Sequence, residues 1–386
     1  MREWGRGRMG FSFSAGILTA DYRDGCVYLG GKKHPAGYFV VQFLNQYYVN
    51  DTAARIAVYR DAVCYQILDQ LRYGYLNIAE YEKTGRNMVE IMKTLPEISP
   101  FDTLDAEVIR DHISALFTEA NGERIVVYFR SRAEIGLMAQ DEIAIGTQDQ
   151  KIDKANVSEM EALIAEVQAA LRFFDALADD LIQAQAQFKT FVSRLDEAAR
   201  FDEKHLLPIA LEVFGAAPLP LTVEYTGLKK NRASTDATVA RRLRFDRYYS
   251  FLLADFFEGL HAGHYPRCCP VCGKYFLMQS ARRTVYCSGM SPFVVRKQPL
   301  SCRAYGAYIH RKELAENDPI TDVYNRRCAA IRSEASRGTI TRDFASNAQK
   351  LAKEHKQRAQ SDHNYAVTQY EKDLERVKLY HDTEQW

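Results

Sequence analysis

The sequence predicts an α+β, helix-rich protein, and three features of its 386 residues carry that expectation. Aromatic and β-branched runs separated by turn signals fill residues 11–44. Residues 153–203 contain neither Gly nor Pro and repeat an apolar residue at a helical period. Residues 318–380 are polar, almost proline-free and helical in pattern.

Within the opening, FSFSAGILTADY, then CVYLGG, then GYFVVQFL after the turn signal Lys33-His34-Pro35 are expected as strands. Asn50-Asp51-Thr52 supplies a cap for a one-faced helix in which Ile56, Tyr59, Val63, Ile67 and Leu71 recur at three and four. Shorter helices are expected near 78–94 and 103–119, and Asn121-Gly122 marks a turn into a strand, ERIVVYFR. Residues 1–150 thus make an α+β N-terminal domain.

The run Met160, Leu163, Val167, Leu171, Phe174, Leu177, Leu181, Ala184, Phe188, Phe191, Leu195 has a mean period of 3.5. Such a seam supports a long helix in a helical hairpin or a coiled-coil dimer. The hairpin is the default over residues 151–207, with its break near Asp179-Asp180. Residues 208–262 hold a candidate strand, LTVEYTG, a polar loop, a second strand, VARRLRFD, and a helix, YYSFLLADFFEGL. Lys229, Lys230, Arg232, Arg241, Arg242 and Arg244 make this strand pair basic, which discourages edge pairing or extends a basic surface. Over 313–386 a helical tail has a stop at Gly338 and a cap at Thr341 for a helix including Phe344 and Leu351.

Composition is that of a globular chain, 47% hydrophobic and 26% charged. No run of about 18 apolar residues exists, so a membrane-spanning helix is excluded. The start, MREWGRGRMGFSFSAGILTADY, has basic residues but a polar-interrupted apolar stretch and no clean small-x-small site, so a cytoplasmic chain is expected; Met9 is an alternative initiator. The net charge of +1 hides segregation. Residues 1–258 hold 30 Lys+Arg and 37 Asp+Glu, whereas residues 259–312 hold nine basic residues and no acid. A local excess of this kind suits a polyanion, or an acidic surface of the same chain.

Five of the eight cysteines, Cys268, Cys269, Cys272, Cys287 and Cys302, fall within that basic stretch, whereas Cys26, Cys64 and Cys328 stand alone. Clustering with a C-x2-C pair argues for metal rather than disulfides. In Cys269-Pro270-Val271-Cys272-Gly273-Lys274 two thiolates three apart can grip one ion, and Gly273 permits the turn that aims backbone N–H groups at the sulfurs. Arg267 and Lys274 favour the ionised thiols. Cys287 and Cys302 complete C-x2-C-x14-C-x14-C, the four ligands of one closed, structural Zn2+ site. Cys268 is an alternative to Cys269, and His264 or His310 to a distal cysteine. Lys274–Met278 and Arg282–Tyr286 are expected to pair as a hairpin, and Cys302 opens a helix, RAYGAYIHRKELAE, whose dipole favours a thiolate. Knuckle, hairpin and ligand-bearing helix is the order of a treble-clef-like zinc finger over residues 263–312, much of whose folding free energy the metal would supply.

The run C-P-x-C-G-K-Y-F, then Y-C, then C-R-x-x-G, carried by Cys269, Cys272, Gly273, Phe276, Tyr286, Cys287, Cys302 and Arg303, resembles an uncharacterised bacterial family, a domain of unknown function with a C-terminal cysteine motif. It is remotely similar to CGNR-type zinc fingers of bacterial transcription regulators. The resemblance spans residues 245–350 and implies zinc binding. The CGNR pattern has Gly-Asn-Arg after its fourth cysteine; here Cys302 is followed by Arg303-Ala304-Tyr305, which departs from its DNA-binding signature.

Two functions follow. In the first, a regulatory or defence-type nucleic-acid-associated protein, Arg267, Lys274, Arg282, Arg283, Arg296, Lys297, Arg303, Arg311 and Lys312 meet the phosphates of DNA or RNA, with Tyr275, Phe276, Tyr305 or Tyr308 adding stacking. In the second, the finger is structural and serves a scaffold or a protein partner. For an enzyme the sequence offers little: G-x-x-x-x-G-K-[ST], H-E-x-x-H and G-x-S-x-G are all missing, and four cysteines leave no open metal position for a reactive water. A catalytic site assembled from distant residues of the N-terminal half would not show in these motifs.

Overall fold

The computed structural model describes residues 11–46, 49–142, 154–216, 219, 221–229, 236–279, 284–295 and 298–385. It is α+β and helix-rich, as the sequence predicts. Contacts divide the chain into two units, Met1–Cys269 with Gly273–Val285, and Pro270–Cys272 with Tyr286–Trp386.

The first unit opens with strands β1 (Leu18–Arg23), β2 (Cys26–Leu29) and β3 (Lys32–Pro35). Helices α1 (Tyr38–Leu44), α2 (Val49–Tyr73), α3 (Ile78–Thr94), α4 (Ala106–Leu116), α5 (Glu119–Glu142), α6 (Lys154–Ser193) and α7 (Glu203–Phe214) follow. Strands β4 (Leu221–Lys229) and β5 (Ala237–Phe245) lead to helix α8 (Tyr248–His261) and strands β6 (Tyr265–Cys268) and β7 (Tyr275–Met278). An antiparallel sheet of order β3-β2-β1-β5-β4 places β5 beside β1, with Leu18 opposite Phe245 and Tyr22 opposite Arg241.

Three expectations fail here, and those over residues 33–44 are overruled by contacts distant in sequence. Lys33-His34-Pro35 lies in strand β3, and GYFVVQFL is helix α1 rather than a strand. Gly37 takes φ +86° before that helix, and the buried Asp255 carboxylate of α8 accepts the N–H groups of Gly37 and Phe39, each at 3.0 Å. A side chain from far along the chain thus satisfies the helix N-terminus. Asn121-Gly122 makes no turn into a strand: both lie within α5, where the Asn121 amide donates to the carbonyls of Ala115 and Leu116 that end α4. Buried Ile125 with half-buried Tyr128 and Phe129 then gives α5 an inner side.

The expected break at Asp179-Asp180 is likewise not formed, and α6 runs unbroken for 40 residues. Asp180 is buried and paired with Arg247, and accepts the N–H of Tyr249 at 3.2 Å. The apolar seam packs along α2 and α8, with Val167, Leu171, Phe174, Leu177, Leu181, Phe188 and Phe191 buried. It is therefore a core face of this unit, not a coiled-coil surface. Helix α8 is apolar nearly all round, and Tyr248, Phe251, Leu252 and Phe256 disappear into the same core, as expected of a central helix. In the basic strand pair, Arg241 meets Glu258, Arg242 meets Asp21 at 2.7 Å and Arg244 meets Glu224 at 3.1 Å, while Lys230 and Arg232 lie outside the described residues.

The second unit contains a hairpin of β8 (Met290–Val295) and β9 (Gln298–Ser301), then helices α9 (Cys302–Asn317), α10 (Pro319–Ser336), α11 (Arg342–Ser361), α12 (His363–Thr368), α13 (Tyr370–Asp373) and α14 (Arg376–Gln385). Thr341 caps α11 by accepting the Phe344 N–H at 3.2 Å, and Gly338 sits at φ +75° between α10 and α11. Its core is small and alanine-rich: Ile331, Ala345, Ala348, Leu351, Ala352, Tyr365, Tyr370 and Leu379.

Candidate metal centre

Strand β7 pairs with β6, Cys268 opposite Tyr275, rather than with the segment after it as expected; Gln279 and residues 284–286 are not strand. The knuckle is therefore the tip of the β6–β7 hairpin. The Cys269 N–H donates to the Lys274 carbonyl at 2.9 Å, the Gly273 N–H to the Cys269 carbonyl at 2.8 Å, and Gly273 takes φ +71°. That left-handed conformation is costly for any residue with a Cβ, which is why Gly stands there.

Asn45, at the C-terminus of α1, steadies the hairpin. Its side chain accepts the Tyr275 N–H and donates to the Tyr275 carbonyl, both at 2.8 Å, imitating a neighbouring strand. Nothing in the sequence marks this residue, since its partner lies 230 positions away.

The third and fourth cysteines come from elements the sequence reading placed only partly. Hairpin β8–β9 delivers the chain to Cys302, the first residue of α9, and the Cys302 N–H donates to the Gly289 carbonyl at 2.8 Å. Ser301 accepts the Ala304 N–H at 3.2 Å as a cap. Against α9 lies Tyr286, so close that a Cβ on Gly306 would stand 2.3 Å from its ring.

These pieces bring Cys269, Cys272, Cys287 and Cys302 together with all four sulfurs within 4.8 Å of one another, and Cys272 and Cys287 3.6 Å apart. Cys269 and Cys302 are buried and the other two half-buried. The group could hold a metal ion. The alternatives weighed above, Cys268, His264 and His310, are not part of it: the Cys268 sulfur lies 3.5 Å from the Gly273 carbonyl, and His264 Nδ1 sits 3.1 Å from the Ala36 carbonyl.

Of the basic residues expected to meet phosphate, Lys274, Arg303, Arg311 and Lys312 are exposed. Arg282, Arg283, Arg296 and Lys297 lie outside the described residues. Arg267 is drawn inward: it is 8% exposed, its guanidinium lies over the Phe201 ring at 5.2 Å and reaches Asp196 at 3.5 Å. Tyr305 stacks on Phe293 with ring centroids 5.0 Å apart, and Tyr308 follows at 6.3 Å. No helix among the described residues is long and apolar enough to cross a membrane.

A four-cysteine group that could bind a metal, set within a small hairpin-and-helix arrangement, defines the class of protein. Residues 216–386, from the segment before β4 to the last residue, match the model of a family of unknown function, DUF6076. Neither a curated protein nor a solved structure matches the chain.

Proposed function

We propose that Cys269, Cys272, Cys287 and Cys302 bind one structural Zn2+ and that the basic, treble-clef-like finger this ion organises contacts nucleic-acid phosphates. The approach of four sulfurs to within 4.8 Å carries the reading. Tetrahedral Zn2+ with bonds of about 2.3 Å needs sulfurs about 3.8 Å apart, so a small contraction closes the site. Four thiolates fill the coordination shell, which suits a structural rather than a catalytic ion. In a cytoplasmic, reducing setting the thiols stay available for metal.

Charge supports the second half: residues 259–312 carry no acid, and Lys274, Arg303, Arg311 and Lys312 are exposed. Because these groups are aimed at no base-reading geometry, the expected binding is backbone-directed and indifferent to sequence. The buried, paired Arg267 favours the other reading, a finger that only stabilises its own chain or docks a protein partner.

Elemental mass spectrometry of the purified chain should find about one zinc per chain, and Cys269→Ser with Cys272→Ser should abolish it together with protease resistance of residues 263–312. Binding to mixed-sequence DNA and RNA should weaken steeply with salt, and Arg303→Glu with Arg311→Glu should reduce it at least about tenfold at low salt while zinc content holds. Absence of zinc refutes the first half. Zinc with salt-insensitive or undetectable nucleic-acid binding leaves the structural reading.

A further inference from the structure

Among the described residues the central sheet ends on β3 and β4, and these two edges are treated differently. Strand β3 is an edge of four residues, Lys32-Lys33-His34-Pro35. Two lysines, a proline and short length are the devices by which natural sheets discourage pairing with another strand. At the other edge, β4 is nine residues long and pairs with β5 in one unshifted register from Leu221–Phe245 to Lys229–Ala237. It contains no proline and no bulge, and only Glu224 and Lys229 are charged.

The faces of β4 are as open as its edge. The β1–β5 ladder ends at Tyr22–Arg241, so the ribbon formed by Thr226–Lys229 and Ala237–Ala240 runs on past β1. Alternation places Val223, Tyr225 and Gly227 on the side that carries Leu243 and Phe245 into the core, and Val239, opposite Gly227, joins them. Here the core face emerges into solvent: Val223 is 51% exposed, Tyr225 74% and Val239 71%. An unprotected edge beside such a patch marks an interaction surface.

We propose that β4 is a self-association edge, two copies of this chain pairing their β4 strands antiparallel about a twofold axis and joining their sheets into one. Full overlap of two nine-residue strands puts the middle residue, Tyr225, opposite its own copy. Val223 then faces Gly227, Leu221 faces Lys229 and Glu224 faces Thr226. No like charges oppose one another, an aromatic pair forms at the centre, and the glycine leaves room beside each valine. The apolar sides of both strands fall on the same side of the joined sheet, as an isologous contact requires. This pairing is independent of the metal centre and of any nucleic acid.

Light scattering or sedimentation of the full chain over a concentration series should give the mass of two chains falling to one on dilution. Val223→Lys with Tyr225→Lys should give one chain at every concentration, because the twofold then sets lysines against each other. Val377→Lys, at a residue 83% exposed on α14, should leave the dimer intact. Hydrogen exchange on the unaltered protein serves as a second readout that needs no variant: amides of Leu221–Lys229 should gain protection as concentration rises. A chain monomeric throughout, a dimer that survives the two lysines in a variant that melts like the parent, or exchange in β4 that ignores concentration would overturn the proposal. So would protection of β4 that appears only when a different protein is added.

Discussion

Two carboxylates, half-buried Glu166 and buried Asp255, pull the stability of this protein in opposite directions with pH. Glu166 on α6 accepts hydrogen bonds from the Ser12 hydroxyl at 2.8 Å, the N–H groups of Phe13 and Ser14, and His112 Nε2 at 2.8 Å. Burial pushes its carboxyl up, but these donors outweigh burial and hold it at about 2, below the ordinary 4.5. Its stabilisation is therefore complete above about 4.5 and lost as pH falls towards 2. Asp255 is the reverse case: burial dominates and raises it to about 7 from 3.8, although the Gly37 and Phe39 N–H groups act the other way. In the folded chain it holds a proton that the unfolded chain has released, so its contribution is complete below about 3.8 and lost as pH rises through about 7. Denaturant titrations from acid to mildly alkaline pH should show the parent losing ground to Asp255→Asn as pH rises, and losing its advantage over Glu166→Gln as pH falls below about 4.5. Stability differences that stay flat with pH would contradict both assignments.

Among elements, those that declared themselves have a local cause. The β4–β5 pair, α8, α10 and the Thr341-capped α11 follow from period, cap and turn residues within a few positions. The four cysteines were legible for the same reason, because a C-x2-C spacing limits where two sulfurs can go. What stayed hidden depends on distant partners. Helix α1 is fixed by Asp255 across more than 200 residues, and α6 passes through Asp180 without breaking because Arg247 neutralises it there. The β6–β7 pairing was masked by the cysteines themselves, whose spacing shows a knuckle but not which strand runs alongside. One element carries a test of the metal site. Ala is the better helix former at Gly306 by up to about 1 kcal/mol, yet its Cβ would stand 2.3 Å from the Tyr286 ring. Gly306→Ala should therefore displace Tyr286 and its neighbour Cys287 and weaken zinc retention against a competing chelator. Unchanged retention would mean that the Tyr286 contact does not position the third cysteine.

At the scale of the whole molecule, the segment matched by the family, residues 216–386, does not coincide with either compact unit. It contains β4, β5 and α8, yet β5 pairs with β1, and Phe251 and Phe256 of α8 pack on Phe39, Phe188 and Phe191. Residues 216–386 expressed alone should be insoluble, or soluble without a cooperative thermal transition for α8, since a helix apolar nearly all round finds no cover in water. A fragment that melts cooperatively with a native near-ultraviolet circular dichroism signal would show that the segment folds without the preceding elements.

The place of β5 within the sheet also constrains descent. A chain that inherits this segment inherits a strand with one side already taken by β4 and the other waiting for a neighbour, and a helix that must be enclosed. In this chain β1 fills that open side, and α1 and α6 pack against the helix. The first half of the chain thus supplies walls that residues 216–386 do not carry themselves.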